Sequence, residues 1–543
     1  GLTISPNGGP ATTQQIFNVQ SGASVTGTGV LTIAPTQTAQ RGSLNVSGSG
    51  SVATFATAPS ASVGTSAAGA AGTGTINVSD NGVFHAPSGM TTFNATGKLA
   101  INGGNYYSHG DLVLNGGRLT RDSSGLLAFD SGHAMTLQSA GQAVLTGNYS
   151  LPVSGSLTVS GGGSSFTATS CLLASGNSRV VVNGGGSLTA DCLQLGTGGV
   201  TNANGSVTLT DVNSAASFST IEIGAAKGSS GSLNVGAGAT LTVNSSVTLN
   251  NTASFNINAG GVLTGAAIFA GTATVNIAGS YLPTGPSGAS STAAINFAPD
   301  VAFQSTTSVT MNIGGKTAGP GYDQLLFNGA GITQVQWGGT LNVRLTNSFV
   351  PQAGDTFQLF SFDPERALGV FTNVSFPSLP PGLFWRADQL YVSGIIRVSR
   401  VPDTFAEWQT HYFAGDFSAD DDHDGVPNGI EFLLGTDPES ASTSSPLQAV
   451  YIARAGNLRA GVTFQMPADP SDGAHYRVQA SPDLSNWTTI ASQDGRAFWT
   501  GSAEVSVGPT NSGFVTVTVS ELLPETTTRR FYRLAAVAPQ QGE

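Results

Sequence analysis

The twelve residues Asp420-Asp-Asp-His-Asp-Gly-Val-Pro-Asn-Gly-Ile-Glu431 place oxygen donors at the spacing that a hard divalent cation requires. Asp420, Asp422 and Asp424 stand at positions 1, 3 and 5 and Asn428 at position 9. Gly425 permits a sharp turn, Val426 offers its carbonyl and Glu431 supplies a two-oxygen ligand at position 12. Calcium takes about 6–8 such ligands, and carboxylates packed this closely repel one another unless a cation lies among them. The expected metal ligands are therefore Asp420, Asp422, Asp424, Val426, Asn428 and Glu431, with Ca2+ as the cofactor. The competing reading, a solvated acidic turn, leaves so many fixed positions unexplained. One loop without a partner loop suits a constitutive clamp, which millimolar extracellular calcium would fill.

Other residues with chemistry are sparse. His85, His109 and His133 follow one another at intervals of 24 residues, so they can stack on successive repeats and bind a transition metal, or serve as polar turn residues. Asp111, Arg118, Arg121, Asp122 and Asp130 lie among them, the densest titratable cluster of this region and the best place for an active site. Polysaccharide-cleaving enzymes of repetitive β folds need facing carboxylates, or metal-binding acids with a base. Residues 1–315 hold eight acids, Asp80, Asp111, Asp122, Asp130, Asp191, Asp211, Glu222 and Asp300, four of them scattered away from the cluster. No catalytic residue is assigned, and the chain is expected not to be an enzyme. Cys171 and Cys192 are 21 residues apart, close to one repeat, which allows either a disulfide between adjacent repeats or two stacked thiols.

The elements that position these residues follow from composition. Of 543 residues 73 are Gly, only 9% are charged and 39% are hydrophobic, with a net charge of -12. Such a chain has enough apolar side chain to bury, and the acidic balance gives nucleic acid or an anionic membrane nothing to bind. No apolar run reaches the ~18 residues of a membrane span. The N-terminus lacks the basic and apolar regions of a signal peptide, so an exported chain would have Gly1 as its processed end.

Up to about residue 315 one phrase recurs: Gly42-Ser-Leu-Asn-Val46, Gly74-Thr-Ile-Asn-Val78, Gly155-Ser-Leu-Thr-Val159, Gly205-Ser-Val-Thr-Leu209 and Gly231-Ser-Leu-Asn-Val235. Its period of two makes it a strand with one inward face, and an interval of ~20–30 residues is the signature of a stacked repeat. A strand this short cannot bury its apolar face alone, but coils laid on one another make a continuous core. At ~22 residues per coil and ~4.8 Å per rung, some 300 residues build a rod of about 65 Å. Gly1-Leu-Thr-Ile-Ser-Pro-Asn leads almost directly into Gln15-Ile-Phe-Asn-Val19, which leaves the N-terminal sheet edge available for pairing.

From about 320 to 398 the strands become aromatic, as in Tyr322-Asp-Gln-Leu-Leu-Phe327, Gly354-Asp-Thr-Phe-Gln-Leu-Phe360 and Leu379-Pro-Pro-Gly-Leu-Phe-Trp385. Together with the preceding repeats this segment resembles the autotransporter-associated β-strand repeat proteins, secreted β-solenoids of bacterial surfaces. The resemblance covers roughly the first 400 residues. It implies a solenoid fold and a surface location and carries no catalytic residue; the membrane barrel of true autotransporters has no counterpart in this sequence.

Residues 403–414 read as a helix with Phe405, Trp408 and Tyr412 on one face and Thr404 with Glu407 as a capping box. With this helix before it and Ile430-Glu-Phe-Leu-Leu434 after it, the acidic loop resembles dockerin or thrombospondin type 3 calcium repeats. Residues 446–543 alternate as in a β-sandwich. Their phrases Tyr476-Arg-Val-Gln-Ala-Ser-Pro-Asp-Leu-Ser-Asn-Trp487 and Arg530-Phe-Tyr-Arg-Leu534 resemble C-terminal modules of large secreted proteins from verrucomicrobia-like bacteria.

The expected fold is all-β: parallel β-helix repeats over 1–318, a β-rich cap over 319–400, a helix–calcium loop–helix connector over 401–442 and an Ig-like β-sandwich over 443–543. The connector's ion is expected to fix the angle between rod and sandwich. The expected function is structural, an extracellular or cell-surface protein that polymerises head to tail through its solenoid ends and C-terminal domain. The alternatives are a monomeric adhesin that binds glycans and a polysaccharide lyase or hydrolase.

Overall fold

A computed structural model describes residues 1–4, 14–33, 41–65, 72–197, 203–224, 229–250, 252–285, 290–380, 383–399, 402, 404–412, 414–441, 445–454, 457–471, 473–511, 514–523 and 529–537. Ser5-Pro-Asn7 of the expected uncapped entry, Pro381 and Gly382 of the aromatic segment, and Asp403 and Phe413 of the expected helix lie outside them. The chain divides into two compact units, one comprising Gly1–Phe349 with Gln358–Pro377 and the other Val350–Phe357 with Ser378–Glu543.

The first unit is a parallel β-solenoid with three faces. Short strands with Gly turns visit the faces in rotation, as Met90–Asn94, Gly97–Asn102 and Asn105–Ser108 do within one coil. The first face is a sheet of 15 parallel strands from Leu2–Ile4 to Ala367–Gly369. The interval between paired residues on it runs from 20, Phe255 to Val275, to 34, Val301 to Val335. The parallel ladder of the second face likewise runs on to Asn373–Ser375. In the middle coils the second and third faces are written by single bent strands such as Ser165–Ser175 and Ser187–Thr197. Register slips at the bend, between Ala168 and Cys171, and there Cys171 and Cys192 face each other on adjacent coils and form a disulfide.

Alternation converts these strands into a core. On the second face one inward position, occupied by Leu44, Phe166, Leu241, Tyr281 and Leu341 among others, continues in register through thirteen coils. None of the thirteen is more than 2% exposed. Outward positions carry Ser, Thr and Asn. Two outward rows are tied by their amides: Asn77 Nδ2 donates to Asn45 Oδ1 at 2.7 Å and Asn45 Nδ2 to Asn18 Oδ1 at 2.8 Å. Asn276 and Asn256 likewise donate to Asn256 and Asn234, at 3.2 and 2.9 Å. Toward the last coils the interior becomes aromatic, with Phe269, Phe297 and Phe327 stacked at centroid separations of 4.5 and 5.1 Å.

The second unit holds two four-stranded antiparallel sheets, Gln448–Arg454, Asn457–Pro467, Phe514–Leu522 and Glu504–Val507 in one, and Thr500–Gly501, Thr488–Asp494, His475–Ser481 and Phe531–Ala536 in the other. Helices α1 (Phe405–Tyr412) and α2 (Asn428–Leu434) join the same core. Phe405, Trp408, Phe432 and Leu433 pack with Val462, Phe464, Val478 and Val517. The Thr404 hydroxyl accepts the Glu407 N–H at 3.2 Å, the first half of the expected capping box. Arg397 and Arg496 both pair with Asp388 and Asp469, at 2.8–3.4 Å, and so tie the hairpin Phe384–Arg386/Ile395–Ser399 to loops of the sandwich. Among the described residues no helix is long and apolar enough to cross a membrane.

Candidate metal centre

The acidic loop joins the two helices of the second unit. Its backbone reverses at Gly425, with φ of +90°. A Cβ there would meet nothing within 4 Å, so it is the left-handed backbone that calls for glycine. Gly429, on the first turn of α2, is glycine for space, because a Cβ would come within 2.4 Å of the Phe417 ring. Backbone bonds from Asn428 N to Ala419 O, at 2.7 Å, and from Gly429 N to Phe417 O, at 2.9 Å, clamp the two ends of the loop together. Phe432, Leu433 and Leu434 on α2 are buried in the core, so α2 carries Glu431 on a fixed support.

The structure brings Asp420, Asp422 and Asp424 together, each offering a carboxylate oxygen within 4.8 Å of the others. The loop's own amides orient them. Asp420 accepts from the N–H groups of Asp424 and Gly425, at 3.2 and 3.0 Å. Asp424 accepts from Val426 N–H at 2.7 Å. Glu431 is 1% exposed. Burial first, then the negative charge of Asp422 and Asp424, pushes its carboxyl up to about 7. Thr436 donates to its Oε1 at 3.4 Å, but its Oε2 and the Oδ2 of Asp422 are buried without any partner. Buried carboxylate oxygens left unpaired beside like charges are costly, and a hard cation among Asp420, Asp422, Asp424 and Glu431 would relieve both costs.

Asn428 goes elsewhere. It is fully buried, and its amide donates to Asp416 O at 3.3 Å and to Asp421 Oδ2 at 3.1 Å. Asp421 also accepts Gly415 N–H at 2.6 Å. Sequence reasoning passed over Asp421, which ties the loop rather than facing the cluster. Its alternation with the ligand positions was the available signal.

The cluster at 85–133 separates into a line of three side chains, a pair, and charges that bond to backbone. His85 and His109 meet, with Asp130 on the far side of His109, whereas His133 turns to Asp111 at 3.2 Å. Arg121 donates to the carbonyls of Thr146 and Asn148, at 2.8 and 2.7 Å. Asp122 accepts the turn amides of Gly103 and Gly125, at 3.0 and 2.7 Å. These two charges therefore serve coil-to-coil hydrogen bonding. No protein-family model matches this chain, and neither a curated protein nor a solved structure matches it.

Proposed function

We propose that the protein is an extracellular structural subunit of a cell-surface filament or layer, assembled head to tail through its solenoid ends and C-terminal domain. The observation that carries this reading is the buried column that passes through thirteen coils behind an outer surface of small polar side chains. Fifteen rungs at the spacing of a parallel sheet make a ladder of about 70 Å, an architecture suited to bearing load and spanning distance. A parallel ladder ends in unpaired backbone groups, which another chain can satisfy. A repeated contact of that kind, if it does not close, makes a filament. The Cys171–Cys192 disulfide suits an oxidising location, as does the resemblance to surface β-solenoids. Negative-stain images of the concentrated protein should contain periodic assemblies; monomers at every concentration by light scattering would overturn the proposal.

In the same reading the acidic loop holds Ca2+ through Asp420, Asp422, Asp424, Glu431 and the Val426 carbonyl, with Asn428 bracing the loop from behind. The ion's role is to complete the core of the second unit, since Glu431 sits on a helix of that core. Glu431→Gln should weaken calcium binding about tenfold or more by equilibrium dialysis. Dialysis that finds no calcium on the wild-type protein would remove the metal.

A second reading, a monomeric glycan-binding adhesin, is favoured by Phe498 and Tyr451, which are 94% and 74% exposed. Glycan binding that is lost in Phe498→Ala or Tyr451→Ala, without any assembly, would select it.

A further inference from the structure

We propose that His85 and His109 form a second metal site, for a divalent transition-metal ion such as Zn2+, with Asp130 as the group that orients His109. The site lies on the third face of the solenoid, where Val83–His85, Asn105–Ser108 and Leu126–Phe129 are neighbouring parallel strands on successive coils. Tyr107 pairs with His85 and Phe129 with Ser108. Because Phe84 points inward and is fully buried, His85 points outward. Asp130 N continues the ladder to Ser108 O at 3.1 Å, which sets Asp130 beside His109.

The three side chains form a line. Asp130 Oδ2 lies 2.9 Å from His109 Nδ1, and His109 Nε2 lies 3.0 Å from His85 Nδ1. The carboxylate accepts the Nδ1 proton of His109 and so leaves a lone pair on Nε2, aimed at His85. Tyr107 stacks on His85, with centroids 5.1 Å apart, and holds that ring in place. Two imidazole nitrogens thus face each other with one proton between them. Zinc–imidazole bonds of about 2.0–2.1 Å put two nitrogens of a tetrahedral site about 3.3 Å apart. The two rings are within 9° of parallel with centroids 5.2 Å apart, so their nitrogens point at each other, and an ion replaces the proton once the rings separate slightly and turn in plane until both lone pairs converge on it. His85 then carries its proton on Nε2 instead of Nδ1, a change of tautomer with no net proton lost.

A carboxylate behind a ligating histidine is the arrangement that fixes the ring and raises its basicity toward a metal. Imidazole donors select Zn2+, Cu2+ or Ni2+ over the hard cation of the acidic loop. His109 is 26% exposed and Asp130 58%, so the remaining coordination positions open to water or to an incoming donor from another molecule.

The test uses the full chain, stripped with chelator and then held in excess Ca2+ so that the acidic loop does not compete. Titration with Zn2+ at neutral pH should show one bound ion, and Co2+ should give the visible absorption of a nitrogen-ligated site. His85→Ala and His109→Ala should each abolish both signals, Asp130→Asn should weaken Zn2+ binding by about 10–100-fold, and His133→Ala should change nothing. The wild-type Co2+ spectrum is decisive even where a variant misfolds: no nitrogen-ligated band, or zinc uptake that survives loss of both histidines, overturns the site.

Discussion

Asp323 shows how a single side chain can set the conditions under which the solenoid holds. It is fully buried, and its two oxygens accept the N–H groups of Ala293 at 2.8 Å and Asn312 at 2.6 Å. Burial nevertheless outweighs these bonds and pushes its carboxyl up to about 7. An unfolded aspartate titrates at about 3.9, so the folded chain holds the proton more tightly. This group's contribution is complete below the unfolded value and is lost as pH rises through about 7. The melting temperature of the first unit should therefore fall between about pH 4 and pH 7, and Asp323→Asn, which cannot ionise, should flatten that fall. Nothing in the sequence marks Asp323, because its burial depends on distant segments. The acidic loop was legible because ligand type and spacing lie within twelve residues; the direction of Asn428 was not, being decided by Asp416 and Asp421. The spacing of the histidines at 24 residues overshoots the local coil. Tyr107 is the partner of His85 and Phe129 that of Ser108, so His109 still reaches His85 while His133 falls beyond the column.

At the level of strands and helices, local pattern predicts alternation but not the face it serves. Gly42-Ser-Leu-Asn-Val46 and Gly231-Ser-Leu-Asn-Val235 are nearly the same phrase, yet the former lies on the second face and the latter on the first. The face is fixed by the turns and by the coil beneath, which a five-residue window does not contain. The expected helix at 403–414 is present as Phe405–Tyr412, because capping chemistry and an apolar stripe are both local signals. The long bent strands of the middle coils could not be read, since Ser165–Ser175 turns a corner without a Gly or Pro to mark it. The disulfide at that corner joins residues 21 apart. Loop closure of about that length contributes ~3 kcal/mol by restricting the unfolded chain. Reductant should lower the urea midpoint of the first unit accordingly, and Cys171→Ser with Cys192→Ser should reproduce the loss and make the protein indifferent to reductant.

Taken as a whole, the molecule has two cores with different dependences. The solenoid core is nearly one-dimensional, each coil resting on its neighbours, so Leu241→Ala, at a position with no exposure, should cost about 2–5 kcal/mol. The core of the second unit includes the helix that bears Glu431. Free calcium a hundredfold above its Kd should stabilise that unit by about 2.7 kcal/mol. Calorimetry should show two transitions, one moved by calcium and the other by Leu241→Ala; a joint shift under either change would contradict this division. The asparagine rows add a vulnerability of another kind. In each, an amide nitrogen donates to the oxygen of the preceding coil, so every interior member must be donor and acceptor at once. Slow hydrolysis of one such amide to a carboxylate would abolish its donor and set two acceptors against each other, with a new negative charge. Ageing would thus begin as unzipping of the outer seams at Asn45 or Asn256, long before the oily interior had changed.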